Sequence, residues 1–534
     1  MAHANWPVFC VAAILIACLS ACDSRSHSVR ETTLNYVQMD EPKRLDPAFV
    51  KDLYEGIVSG FLYDGLVEFG AGDTVKPGLA SSWEISPDGT TYIFHLRDAK
   101  FSDGRPVTAE DVRYSFTRVL RPKTNSQRKW VLDRIAGARV VIDGTAADLA
   151  GLETPDPRTV RITLESPYPP FLVMLAMPNA AIIPKDSAGA DTPDLAFDQQ
   201  PIGSGPWMLE KWIHDQRLIF KRNPHYWGAV PRLERLVYYV QTEDAVRYRQ
   251  FQAGNFDIIQ VGFQAHESWQ NDPARAQLTT SIQELRTDYL GIMCTRKPLN
   301  DLRVRQAVSH AIDKTMIFRD IQKGRGVIAT GPVPPGINAY VNPPEDYPYD
   351  PSRARQLLAK AGAQGTKLQL YYREEPLNAE IAQAVKDNLD AVGFHTELTP
   401  RDQAALRQAI HEGTADLFLG SWTLDYPDIE NALFPPFHSS NIPRQGNQTH
   451  FKNEEVDRVL GVARAEGDNA TRIDLYEKAE ELVRKDAPWV PLFHRKVYYA
   501  VQPDVHGWTP ALIYNADRFN HVWKSKADQA RQDR

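Results

Sequence analysis

Lys367-Leu368-Gln369-Leu370-Tyr371-Tyr372-Arg373 opens the stretch that decides the fold, and the residues from there to Gly420 alternate two periodicities. Leu368 to Tyr372 is strand-like. Asn378 then caps a helix whose Ile381, Ala382, Val385 and Leu389 share one face, and Gly393 closes it. His395 to Thr399 is a second strand. Asp402 starts another helix, with Ala405, Leu406, Ala409 and Ile410 apolar and Gly413 as its stop, before a third strand from Asp416 to Gly420. Strand-helix-strand-helix-strand predicts the α/β class with a mostly parallel open sheet. Ligands of such sheets bind in the crevice beyond the carboxyl ends of the strands, which singles out the loops after Tyr372 and Gly420.

The first of these loops offers Arg373. The second offers Ser421-Trp422-Thr423-Leu424-Asp425-Tyr426-Pro427-Asp428, with a carboxylate three residues beyond a tryptophan. Facing one closed cleft, the two suit a zwitterion: Asp425 accepts hydrogen bonds from an α-ammonium group, and Arg373 clamps an α-carboxylate with its planar fork. A free peptide is such a zwitterion. Each charge-assisted bond is worth ~1.5 to 3 kcal/mol where closure excludes water. Structural roles are open to the same residues. Asp425 before Tyr-Pro suits a turn, Arg373 can pair with Glu374 or Glu375 at the surface, and Trp422 can be core.

Working outward, Trp83 to Ser86 and Thr91 to Leu96 alternate around Pro87-Asp88-Gly89 as a hairpin, and Thr108 with Asp111 forms the cap of a helix over 109–120. The full chain of 534 residues is expected to form two to four domains at roughly 100 to 200 residues each. Its 43% hydrophobic and 24% charged residues are those of a globular protein; a net charge of -7 without a basic stripe argues against a nucleic-acid partner. Pro7 to Cys22 is nearly uncharged and then turns abruptly polar at Asp23-Ser24-Arg25-Ser26, as an export signal does. Its apolar core is too short for the ~20 residues of a membrane-spanning helix. Leu19-Ser20-Ala21-Cys22 resembles the bacterial lipobox, which implies a lipid on Cys22, and Asp23 implies retention at the inner membrane; the n-region departs from the pattern in lacking Lys and Arg. Cys10 and Cys18 leave with such a signal. Cys294 then stands alone, with no intramolecular disulfide, and its neighbours Ile292 and Met293 place it by a buried strand.

The densest recognisable block runs from Pro77-Gly78-Leu79-Ala80-Ser81-Ser82-Trp83 through Phe101-Ser102-Asp103-Gly104-Arg105-Pro106-Val107-Thr108-Ala109-Glu110-Asp111-Val112. Leu45-Asp46-Pro47 precedes it; Gly203-Ser204-Gly205-Pro206-Trp207, Arg222-Asn223-Pro224-His225-Tyr226-Trp227, Arg303 to Asp313, Ala354 to Gly362, Gly420 to Asp428 and Asp486 to Pro491 follow in order. Together they resemble the large peptide-binding proteins of ABC importers, the group of oligopeptide, dipeptide and nickel binders, over nearly all of the chain after the signal. The resemblance implies a periplasmic-binding-protein type II-like fold: two lobes from three domains, with mixed open sheets and a hinge. The implied division is a signal peptide with lipobox over 1–22; domain I from 29–69, 196–291 and 500–523; domain II over 70–195; domain III over 292–499; and a disordered tail over 524–534. It further implies short peptides as ligand, bound as an added strand along Lys51 to Leu53 and Ser421 to Thr423, with Trp422 beside them and Asp425 receiving the amine. Arg373 falls where a dipeptide binder holds the carboxylate. The implied partners are ABC permease subunits with their ATPases. A monomer at the periplasmic face of the inner membrane, or free in the periplasm, is expected, with no cofactor.

Rival functions find less support. Ser126-Gln127-Arg128-Lys129 has the Ser-x-x-Lys spacing of some hydrolases, but no Ser-Asp-Asn or Lys-Thr-Gly follows, and other catalytic signatures are missing. His411, His438, His450 and His494 are scattered without further ligands at metal-binding spacing, so no metal site is expected. A sugar, an opine, haem or a nickel chelate on the same fold is the remaining alternative.

Overall fold

The computed structural model describes residues 32–525, apart from 71, 73, 189–194 and 338. The expected signal and Cys22 lie outside the described residues.

The element pattern of 367–420 folds into strands Lys367–Arg373, His395–Arg401 and Leu417–Thr423, all parallel, joined by helices Pro376–Val392 and Gln403–His411. Asp402 caps the second helix by accepting from the backbone N–H groups of Ala404 and Ala405. Gly393 ends the first at φ 109°, a left-handed conformation that disfavours any side chain. One expectation fails: Asn378 is not the cap. The helix begins three residues earlier because Pro376 supplies a preset φ at its first position, and Glu375 takes the cap place.

These strands form one end of an eleven-stranded mixed sheet. Its strands are β1 (Thr33–Gln38), β2 (Trp207–Ile213), β3 (Arg217–Arg222), β4 (Arg235–Val240), β5 (Ile258–Gln260), β6 (Thr279–Ile292), β7 (Gly326–Ile328), β8 (Lys367–Arg373), β9 (His395–Arg401), β10 (Leu417–Thr423) and β11 (Trp489–Val501). The spatial order is β9-β8-β10-β6-β11-β5-β1-β4-β3-β2, with β7 also on β11. Between 70 and 195 the chain builds a separate four-stranded antiparallel sheet. The expected hairpin, Ala80–Ile85 with Thr91–Leu96, lies at its edge. Helix Ala109–Leu120 packs Val112, Phe116, Val119 and Leu120 into the core, and its capping box of Thr108 and Asp111 is present.

β6 and β11 join the two ends of the large sheet. They run antiparallel: the first half of β6 pairs with the last part of β11, from Thr279↔Ala500 to Gln283↔Lys496, next to β5, and the second half of β6 pairs with the first part of β11, from Thr287↔His494 to Gly291↔Trp489, next to β10. The register slips between Gln283 and Thr287 and again between Asp288 and Tyr289. The sheet therefore runs unbroken across 291/292 and 499/500, and the ribbon's weak point lies inside it. His494 sits at the first slip, 1% exposed, its Nδ1 3.0 Å from Thr287 Oγ1.

Lys524, first residue of the expected disordered tail, is ordered. It pairs with Val505 in a short strand contact and buries its ammonium against Asp257 at 2.9 Å, both side chains 1% exposed. Two charges removed from water are tolerable only as a pair.

Two predictions follow from this packing. Lys524→Met strands the Asp257 carboxylate and lowers unfolding stability by about 3 kcal/mol, measured by urea denaturation. Burial pushes the His494 imidazole down to about 4. An unfolded histidine titrates near 6.5, so on acidification the unfolded chain takes the proton first and stability falls between pH 6.5 and 4, by roughly 3 kcal/mol. Above pH 6.5 both states are neutral there and His494 adds no pH dependence. His494→Gln flattens the slope in that window.

Candidate functional site

β10 is paired along its whole length on one edge, from Leu417↔Ile292 to Thr423↔Arg286 of β6. On the other edge β8 accompanies it only at Leu417 and Phe418, then follows β9 as far as Arg373↔Arg401. Leu419 to Thr423 thus present an edge without a strand neighbour on that side. An unpaired strand edge is a row of N–H and C=O groups ready for another chain. Gly420 belongs here for steric reasons, because a Cβ on it would stand 2.8 Å from the Tyr289 ring.

The fork between β8 and β10 opens a cavity of about 610 Å³. Leu419, Gly420 and Ser421 line it, together with Arg286, Arg373, Arg407 and Arg495. Asp288 lies opposite Ser421 in register and is bound by two guanidinium groups, Arg286 at 3.2 and 2.9 Å and Arg495 at 2.7 Å twice. Burial works to raise the Asp288 pKa, but the two arginines overcome it and hold the carboxyl below its ordinary range. Each arginine spends only its Nε and one Nη on Asp288. Two cations share one anion, leaving the wall net positive. Burial pushes the neighbouring Glu284 carboxyl up, against the pull of Arg286 and Arg495.

Arg373 lines the cavity and pairs with Glu375 at 2.9 Å, the local partner that the sequence offered as an alternative. Ser421 is on the same cavity. Asp425, Trp422, Thr423 and Leu53 are not among the residues lining it. Asp425 faces the 70–195 lobe instead, where Arg128 Nη1 donates to its Oδ1 at 2.8 Å. Buried Asn431 fixes this loop: its side-chain oxygen accepts the Asp425 N–H at 2.8 Å and its backbone carbonyl accepts Trp422 Nε1–H at 2.7 Å. Tyr514 adjoins the pair; burial first and Asp425 second push its phenol up to about 12.

The segment expected to align a ligand along Lys51 to Leu53 is not strand-like. Asp52 caps a helix over Leu53–Leu62, so Leu53 is the first helical residue, with its side chain exposed. Both backbone groups of Lys51 are engaged: its N–H donates to Glu55 at 2.8 Å, and its carbonyl accepts from Arg128 at 3.1 Å. Cys294 is half-buried, and burial pushes its thiol up to about 12, far from the range of a nucleophilic thiolate. Among the described residues, no three His, Cys, Asp or Glu side chains converge on a metal position.

Sequence reasoning missed Arg286, Arg495, Asn431 and Arg128. For Arg286 a signal existed, since Glu284, Arg286 and Asp288 repeat charge at period two just before the apolar run Tyr289 to Ile292. That pattern marks one charged face of a strand.

Comparison with known proteins places this architecture. The model of the bacterial extracellular solute-binding proteins, family 5, matches residues 74–444, and the chain belongs to that family. It is 30% identical over 522 residues to the heme-binding protein A of Haemophilus influenzae, covering 92% of this chain and 94% of that one. It is likewise 30% identical over 508 residues to the dipeptide-binding protein of Escherichia coli, covering 90% and 92%. Among solved structures, the ABC transporter-associated periplasmic binding protein DppA of Helicobacter pylori, in complex with the peptide STSA, superposes with a TM-score of 0.73 at 27% identity, covering 92% of this chain and 98% of that one.

Asn431→Ala keeps the backbone bond to Trp422 but leaves the Asp425 amide unpaired. The expected cost is about 1 to 2 kcal/mol. Hydrogen exchange read by mass spectrometry should accelerate in peptides covering 424–426 and stay unchanged in the β8–β9 region.

Proposed function

We propose that this protein is the extracytoplasmic capture component of a peptide ABC importer, taking short peptides into the cleft and handing them to the permease. The observation that carries the reading is the open edge of β10, Leu419 to Thr423, ending between a net positive cavity and Asp425. A peptide backbone added to that edge gains main-chain hydrogen bonds that depend little on side chains. Its carboxylate then meets the cationic wall of Arg373, Arg286 and Arg495, and its ammonium lies toward Asp425. Relatives that bind a dipeptide and the peptide STSA support this ligand class. The heme-binding relative keeps a non-peptide ligand as the second reading, favoured by the cavity's arginines, which suit any compact anion.

Capture proceeds without chemistry on the ligand, in line with a Cys294 thiol held neutral by burial. Cys22 carries the lipid that keeps the protein at the periplasmic face of the inner membrane, and the monomer docks on permease subunits driven by their ATPases.

Thermal shift on protein unfolded and refolded to strip carried ligand tests the reading, because a ligand that binds only the native state raises its melting temperature. Free peptides of two to eight residues should stabilise the protein and control sugars should not. Asp425→Asn is expected to weaken peptide binding about tenfold, or ~1.4 kcal/mol. Full affinity in that variant, or stabilisation by haem or a sugar alone, overturns the peptide reading.

A further inference from the structure

Arg128 belongs to a turn of the 70–195 lobe, yet its guanidinium reaches across to both acceptors at the end of the open β10 edge. Nη1 donates to Asp425 Oδ1 at 2.8 Å and Nη2 to the Lys51 carbonyl at 3.1 Å. The turn itself is anchored, since the Arg128 N–H donates to the buried Ser126 hydroxyl at 3.2 Å. Only the side chain is free to leave. Its pair with Asp425 keeps 22% and 30% side-chain exposure, whereas the Arg118–Asp46 pair keeps 2% and 0%. A pair open to water adds little to the fold and exchanges partners readily.

We propose that Arg128 is an internal competitor for the ammonium subsite: its guanidinium stands where the ligand's amine goes. The inference rests on the peptide reading above. An incoming ammonium has three donors, and displacing Arg128 releases two acceptors for it, the Asp425 carboxylate and the Lys51 carbonyl. The amine then gains only the difference between two ion pairs, not the whole of one. The displaced guanidinium, still cationic, also repels the ammonium beside it. Both effects act in one direction. Arg128 lowers the value of a free amino terminus and so narrows the gap between free and N-acylated peptides, which leave the Arg128–Asp425 pair intact. Specificity is a difference of affinities, and this residue sets that difference.

Calorimetric titration of the purified, ligand-stripped protein with dialanine, trialanine and their N-acetylated forms tests this. Arg128→Ala and Arg128→Gln should bind the free peptides about tenfold more tightly and the acetylated ones with unchanged affinity. In an Asp425→Asn background, Arg128→Ala should improve free-peptide binding by clearly less than tenfold. Should Arg128→Ala not fold, Arg128→Gln, with a similar side-chain length, carries the comparison. Arg128 variants that bind free peptides no better than the wild type, or more weakly, make Arg128 part of the bound site and overturn the inference while leaving the peptide reading standing. Absence of binding by the wild type to every peptide, free or acetylated, fells that reading, and the competitor role with it.

Discussion

The pairing of β6 with β11 carries the rest of the structure. At about 3.3 Å per residue, their fourteen and thirteen residues span roughly 45 Å, long enough to serve both halves of the sheet. Backbone groups in a strand must find partners, so a break in register marks where a ribbon bends most easily. Here the wider break falls between Gln283 and Thr287, with a second between Asp288 and Tyr289. Two of the cavity's four arginines, Arg286 and Arg495, lie within that wider break. Arg286 and Asp288 come from β6, Arg495 comes from β11, and β10 is registered on β6. The open edge of β10 is registered on β6 from Arg286 to Ile292, whereas Arg128 and Lys51 belong to other segments. Under the peptide reading proposed above, closing the cleft and assembling the ammonium subsite are one movement.

The far side of the cleft is held by buried charge. Asp46 is completely buried, accepts the Ala48 N–H at 3.0 Å and accepts from Nη1 and Nη2 of Arg118, at 2.9 and 2.5 Å. Arg518 in turn binds Asp64 and Glu68, and Lys524 binds Asp257. Burying such pairs costs desolvation that their attraction only roughly repays, so their net contribution to stability is small. Their effect is geometric. They fix the segment around the Leu53–Leu62 helix to the 70–195 lobe and to the last described residues, which settles where the Lys51 carbonyl lies relative to Arg128. The Leu45-Asp46-Pro47 motif is accounted for by this packing and needs no contact with ligand.

Much of this was legible in the sequence because it is local. The strands and helices of 367–420 follow from periodicity and caps, and the hairpin and the helix at 109–120 from turn chemistry and a capping box. The resemblance supplied the two-lobed fold. What periodicity cannot carry is partner choice over long separations: Asp425 meets Arg128 297 residues away, and Arg495 meets Asp288 207 residues away. Nor does a charged strand face announce whether it meets solvent or a cavity. Glu284, Arg286 and Asp288 look like a solvated edge until β8 parts from β10 and encloses them. Asn378 shows the local limit, where a proline outranked a good capping side chain.

The cavity is cationic in a chain whose net charge is -7, so overall charge has little to do with recognition here. What counts is the local field, which low-dielectric walls concentrate. Ile381, Leu406, Ile410, Leu492 and Phe493 supply such walls beside the arginines. At the other end of the open edge, the Asp425 carboxylate is balanced by Arg128, so the ligand-free cleft is positive at one end and close to neutral at the other. Moving the Arg128 guanidinium away exposes the negative pole and completes a dipole along β10. On the peptide reading proposed above, a zwitterionic chain lying on that edge is oriented by its termini before any side chain is read, which is how a site that recognises backbone can still fix the direction of what it holds.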